Sequence, residues 1–252
     1  SLIQLIVYLL TLGILIMLIR LSDKGKISRS MAVVFMAVAL GTLILPSEAH
    51  ATKKIYAPYV EKGEVELEYR GGYEVDDDSD VDGAWKQKFA VGYGVTDYWF
   101  SEIYGEFEKE GARGADAEFT AVEWENRFQM TQPGEYWLDL GLLAEVKHAT
   151  DGGPDKAEAK LLLAKDTGPF THLANIGVER EFGAHSGDDT EVALAWGTRY
   201  RYAASLEPGF EIYSEFGSLS DGSSFDEEEH LAGPAVYGQL GPVKYDAAYL
   251  FG

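Results

Sequence analysis

From residue 52 onward, apolar and polar positions alternate with period two in one segment after another, the signature of strands with one greasy face. In "GEVELEYRGGY", Val65, Leu67 and Tyr69 share a face, while Glu64, Glu66, Glu68 and Arg70 point the other way. "WKQKFAVGYGV" sets Trp85, Phe89, Val91 and Tyr93 against Lys86, Lys88, Gly92 and Gly94. "YWLDLGLLAEVKH" sets Leu138, Leu140, Leu142 and Val146 against Asp139, Gly141, Glu145 and Lys147. "EVALAWGTRYRY" opposes Val192, Leu194, Trp196, Tyr200 and Tyr202 to Gly197, Arg199 and Arg201. The pattern predicts eleven strands, near 63–74, 84–95, 98–109, 117–130, 136–148, 155–165, 170–182, 190–202, 210–218, 230–240 and 243–251. Segments of about 10 to 13 residues exceed the ordinary soluble strand and suit tilted strands crossing a bilayer.

The connections alternate too. "VTDY", "TQPGE", "DTGP", "AASLEPG" and "LGP" make short turns at one end. The connections at the other end, among them "EVDDDSDVDG", "KEGARGAD" and "SLSDGSSFDEEE", are mostly longer and acidic. Short turns opposite longer loops, with aromatic residues near strand ends (Trp85, Tyr98, Trp99, Tyr136, Tyr200, Tyr202, Phe210), predict an all-β, antiparallel transmembrane β-barrel of the outer-membrane kind. A soluble sandwich would need a polar outer face on each sheet, whereas here the second face mixes charge with glycine and alanine. Single-chain barrels of this kind have an even number of strands, so eleven visible ones imply about twelve, with a further C-terminal strand expected to close on the first.

Ahead of the barrel the pattern changes. "MAVVFMAVALGTLILPSEAHATKK", residues 31–54, follows Lys24, Lys26 and Arg29 with an apolar run, a Pro46 break and the small residues Ala49 and Ala51. That order is a secretory signal with cleavage after Ala51. Residues 1–30 form an apolar segment with a basic end, 31–51 the signal and 52–252 the barrel. The run at 2–21 is long enough to span a bilayer, and two readings of it stay open: an inner-membrane helix, or a stretch foreign to the natural protein.

Charge sharpens the picture. The formal net charge is -21, and removal of residues 1–51 takes away Arg20, Lys24, Lys26 and Arg29 but only Asp23 and Glu48, leaving the remainder more acidic. This excludes a nucleic-acid binder and a polybasic membrane-surface binder. With no cysteine there is no disulfide framework, thiol nucleophile or Cys-ligated zinc.

Parity places a charged set on the face turned from lipid: Glu66, Glu68, Arg70, Lys86, Lys88, Glu102, Glu106, Glu123, Glu125, Arg127, Glu145, Lys147, Arg199, Arg201 and Glu215. These are the candidate lumen-lining residues. Two outcomes stay open: paired charges fill the lumen, giving a structural or partner-binding barrel, or acidic residues line a narrow path for small solutes or cations. The second is the expected function, because Gly92, Gly94, Gly141, Gly177 and Gly197 are read as leaving room inside. The expected partners are outer-membrane lipid of a Gram-negative bacterium and, at the acidic loops, divalent cations. Asp76, Asp78, Asp80 and Asp82 are carboxylates of the kind calcium takes, but they lack the EF-hand spacing and read as a solvated loop. No cofactor motif occurs: the glycine-bearing loops have no GxxxxGKS or GxxxxGKT. No enzyme is expected. His172 faces lipid without a serine two residues on, and His185-Ser186 lies in a loop, so no nucleophile has a base in reach.

The opening "IYAPYVEKGEVELEYRGGY", residues 55–73, with the strand plan to the chain's end, resembles a group of proteobacterial outer-membrane barrel proteins beside the copper resistance protein B and phenol meta-pathway outer-membrane families. The resemblance implies an outer-membrane location and small-solute passage. The Met- and His-rich N-terminal segment expected of copper resistance protein B is missing: after Ala51 no Met or His occurs before Met130.

Overall fold

The computed structural model describes residues 53–74, 82–111, 116–187, 190–218 and 229–252. The signal region with Ala49 and Ala51, the run at 2–21, and Asp76, Asp78 and Asp80 lie outside the described residues, whereas Asp82 is described and exposed. Eleven strands follow in order: β1 (Val65–Tyr73), β2 (Trp85–Thr96), β3 (Trp99–Lys109), β4 (Glu118–Gln129), β5 (Asp139–Ala149), β6 (Asp155–Thr167), β7 (Phe170–Phe182), β8 (Thr190–Tyr200), β9 (Glu207–Ser218), β10 (Glu229–Leu240) and β11 (Val243–Ala248). Each pairs antiparallel with its sequence neighbour in a single sheet ordered β1 to β11, curled into a half-barrel, with no helix among the described residues.

Local chemistry explains the hairpins. Gly168-Pro169 and Gly241-Pro242 close two-residue turns between Thr167↔Phe170 and Leu240↔Val243. The glycines take φ of 56° and 62°, the left-handed start that a type II′ turn requires and that matches the twist of the flanking strands. β11 pairs on past its last strand residue through a bridge between Ala232 and Phe251. The edges β1 and β11 are not hydrogen-bonded to each other, yet Lys244 on β11 reaches Glu64 at 2.9 Å.

The alternation sorts the two faces as expected, with the greasy one outside. Leu67 is 77 % exposed, and Val65, Val91, Ile103, Trp124 and Val146 are exposed beside it, while Glu106 is 0 % exposed. Aromatic rings gather toward both strand ends of the outer face. Tyr69, Phe89, Phe107 and Phe119 form a chain of ring contacts with centroids 5.1 to 6.2 Å apart toward the loop end. Trp99–Phe128 and Phe170–Tyr200 pair at 6.3 and 5.3 Å toward the short turns. His172 lies on the outer face between Phe170 and Trp196.

Candidate functional site

The inner face is where the chemistry lies, and its centre is a strap formed by the chain just before β1. Residues 53–61 run across the concave side and then turn through Gly63 (φ 82°), where Gly63 N donates to Gly94 O, to enter β1. Pro58 and the absence of alternation keep this stretch out of the sheet, so its backbone groups find side chains instead. Tyr56 N donates to Asn175 Oδ1 at 2.7 Å, and Asn175 Nδ2 donates back to Tyr56 O at 2.9 Å. One amide thus supplies both halves of a ladder rung. Val60 N donates to Gln129 Oε1 at 2.8 Å, and the Tyr59 hydroxyl donates to Asp139 at 2.8 Å. Burial, with the Asp139 bond added for Tyr59, holds the Tyr56 and Tyr59 phenols above their ordinary pKa, so both remain donors.

The strap also fills apolar and glycine seats on the wall. The Tyr56 ring packs with Leu143 and Leu162, both fully buried on a face that is otherwise charged. A Cβ on Gly94 would stand 1.9 Å from the Glu61 carbonyl oxygen, one on Gly141 2.7 Å from Pro58 Cβ, and one on Gly197 2.9 Å from Ile55 Cδ1. The expectation that these glycines leave room for solute is therefore corrected: β2, β5 and β8 carry glycine where the strap presses on them. The remaining two are covered by wall side chains, Gly92 by Phe100 and Gly177 by Glu158 and Lys160. Lys54 pairs with Glu68, and Lys53 pairs with Glu215 and, at 3.2 Å, with Glu229.

Most of the predicted lumen residues meet on this face. Glu106 receives Lys147 at 2.6 Å, Lys86 at 2.8 Å and Lys88 at 3.0 Å, while Lys88 also holds Glu123 at 2.7 Å. Arg70 donates to Glu68 at 2.6 Å and to the phenols of Tyr104 at 3.2 Å and Tyr56 at 3.4 Å. Arg127 lies 4.0 Å from Glu66, with its guanidinium over Phe100. Arg199 meets Glu207 at 3.2 Å, and Glu215 remains half-exposed under Lys53. Arg201 reaches the rim of the same face. It lies just past the end of β8, where it pairs with Asp166 at 2.5 Å and donates to Thr171 at 2.7 Å, clamping the β6–β7 turn.

Register adds something that composition does not show. Glu102, Glu125, Glu145, Glu158, Glu179 and Glu191 sit at directly opposed positions on β3 through β8, each the Cα partner of the next. Like charges placed directly opposite destabilise a sheet, so the row needs compensation. Lys160 supplies it to Glu158 at 2.5 Å and Lys156 to Glu179 at 2.7 Å. Tyr56, Tyr59, Asn175 and Gln129 are the functional residues that pattern reading missed. The available signal was the pair of inward amides facing a tyrosine- and proline-bearing stretch without period.

No family model matches the chain, and no curated protein matches it either. The resemblance noted above therefore rests on residues 55–73 and the strand plan.

Proposed function

We propose that the protein is a transmembrane β-barrel of a Gram-negative outer membrane whose lumen is stoppered by its own N-terminal strap and a lattice of ion pairs. This is the structural or partner-binding alternative rather than a standing open pore. The membrane setting is supported by the exposed apolar face, the aromatic rings toward both strand ends and the short-turn, long-loop asymmetry. The observation that carries the stopper is the seating of Ile55, Pro58 and Glu61 on Gly197, Gly141 and Gly94. A glycine in a strand marks close backbone approach, and three of them facing one strap form a seat. A signal peptide cut after Ala51 would release an N-terminus directly at this strap.

Planar-bilayer conductance tests the reading. The refolded full chain is expected to be silent or to flicker, and deletion of residues 53–60 is expected to give a steady current. A steady wild-type current unchanged by the deletion would overturn the stopper in favour of the narrow solute or cation channel. The feature favouring that second reading is the glutamate row, because rings of acidic side chains select cations.

A further inference from the structure

The glutamate row ends in a place where its charge is not balanced. Glu102 and Glu125 are 2 % and 1 % exposed, respectively. Both oxygens of Glu125 and Oε1 of Glu102 lack a hydrogen-bond partner. The other Glu102 oxygen accepts from Tyr104 at 2.8 Å. The Tyr56 phenol lies near Glu125 without hydrogen-bond geometry. The nearest cations are committed elsewhere: Lys54 pairs with Glu68, and Arg70 donates to Glu68 and the two phenols. Lys54 and Arg70 thus face three carboxylates, Glu68, Glu102 and Glu125, beneath the strap, while Glu145 is faced by Lys88 and Lys160 as well. Buried carboxylates left unpaired are strongly unfavourable, which favours uptake of a proton or a cation there.

We propose that the Glu102–Glu125 pair binds a small hard divalent cation, taken by carboxylate oxygen with the Tyr56 and Tyr104 phenol oxygens beside it. The inference deepens the stoppered-barrel reading and rests on it for the strap as cover. Two directly opposed carboxylates carry the charge of one divalent ion, and oxygen donors are what such ions prefer. Among the described residues no three acidic or histidine side chains gather as a metal cluster, so the ion is bridged by a pair rather than caged. Its hold is then weak, on the order of millimolar, like that of extracellular calcium modules. The row also offers a way in. Glu179 and Glu191 at its far end line, with Glu181 and Gly187, a cavity of about 110 Å³ beside the β7–β8 loop. From there Glu158 and Glu145 lead strand by strand to Glu125.

The test is thermal unfolding of the refolded full chain in detergent, with calcium chloride against choline chloride at equal ionic strength. Calcium is expected to raise the wild-type midpoint by on the order of 3 °C, as a ligand that binds only the folded state does. Glu125→Gln is expected to melt above wild type without calcium, because an unpaired charge is gone, and to lose the calcium increment. Glu102→Gln is expected to lose it as well and decides the matter if Glu125→Gln does not refold. A loop variant with Asp76, Asp78 and Asp80 changed to Asn is expected to keep it. No increment in wild type, an increment undiminished in the Gln variant, or its loss in the loop variant would each overturn the site. Conductance is not part of this readout, so a failed stopper and a failed cation site give different results.

Discussion

From β2 to β5 the inner wall is a lattice of ammonium and carboxylate groups, with Lys86, Lys88 and Lys147 gathered around Glu106 and Glu123. From β8 to β11 the middle of the same wall is built of small residues and phenols, with the Arg199–Glu207 pair and Glu215 to either side. Ala195, Gly197, Gly209, Gly233 and Ala235 let backbone and rings come close, and Glu211 is held by the hydroxyls of Tyr213 and Tyr237. Both walls face one concave space and line it by different physics. A lattice of buried charges is rigid but costly to break, since each member depends on the rest. A wall of close approaches depends on volume, and its buried carboxylate, Glu211, is satisfied by neutral donors. The strap lies between the two, pinned to the first wall through Pro58 and Tyr59, to the second through Ile55 and Lys53, and to β1 through Lys54.

The largest expected effect is on the lattice. Glu106→Ala leaves Lys86, Lys88 and Lys147 close together with Glu108 and Glu123 as their remaining partners. Removing one member of a buried ionic network costs about 3–5 kcal/mol. Urea unfolding of the variant in lipid vesicles is expected to show a loss of this size. A loss below about 1 kcal/mol would mean that the lysines are solvated as on a surface, and the first wall would then border a water-filled lumen.

A smaller effect separates the two strap seats. On Gly141 a methyl group would stand 2.7 Å from Pro58 Cβ and 3.0 Å from both the Phe128 carbonyl oxygen and Pro58 Cα, so backbone must move. On Gly197 its one close approach would be to the end of the Ile55 side chain at 2.9 Å, which can rotate away, with Tyr237 and Glu211 in ordinary contact beyond. Gly141→Ala is expected to cost about 1–3 kcal/mol by overpacking and to speed trypsin cleavage at Lys53 and Lys54. Gly197→Ala is expected to fall within about 1 kcal/mol of wild type, since lost chain entropy in the unfolded state offsets the crowding. Equal cleavage rates in the two variants would show that the strap does not press harder on the first wall than on the second.

The strands were legible because period-two alternation survives translation into a pleated sheet, and all eleven expected segments overlap observed strands. The strap was not. "IYAPYV" pairs its backbone with Asn175 and Gln129 rather than with a neighbouring strand, so it has no reason to alternate. Its apolar seat was hidden for a related reason: in "GLLAE" and "KLLLAK" successive leucines blur the alternation, so nothing marks Leu143 and Leu162, which share parity with inward charges, as an apolar patch inside. The inner glycines were read as space because a sequence shows a missing side chain but not what lies over it. The glutamate row could not be seen at all, since it exists only once turn lengths and bulges fix the register across six strands.

The smallest expected effect is the sharpest check on the comparison between the walls. Glu211 is 5 % exposed and accepts from Tyr213 at 2.9 Å and from Tyr237. In Glu211→Gln one amide oxygen still accepts from one phenol, and the amide nitrogen can donate to the other phenol's oxygen, so both rings keep a partner. The charge-assisted character of the two bonds is lost, which costs about 1 kcal/mol, but a carboxylate is also withdrawn from a poorly solvated wall, which returns part of it. Unfolding in urea is therefore expected to place Glu211→Gln within about 1 kcal/mol of wild type, several-fold closer than Glu106→Ala. A loss as large as that of the lattice variant would mean that Glu211 anchors an ionic arrangement of its own, and the distinction between a charged wall and a close-packed one would not survive.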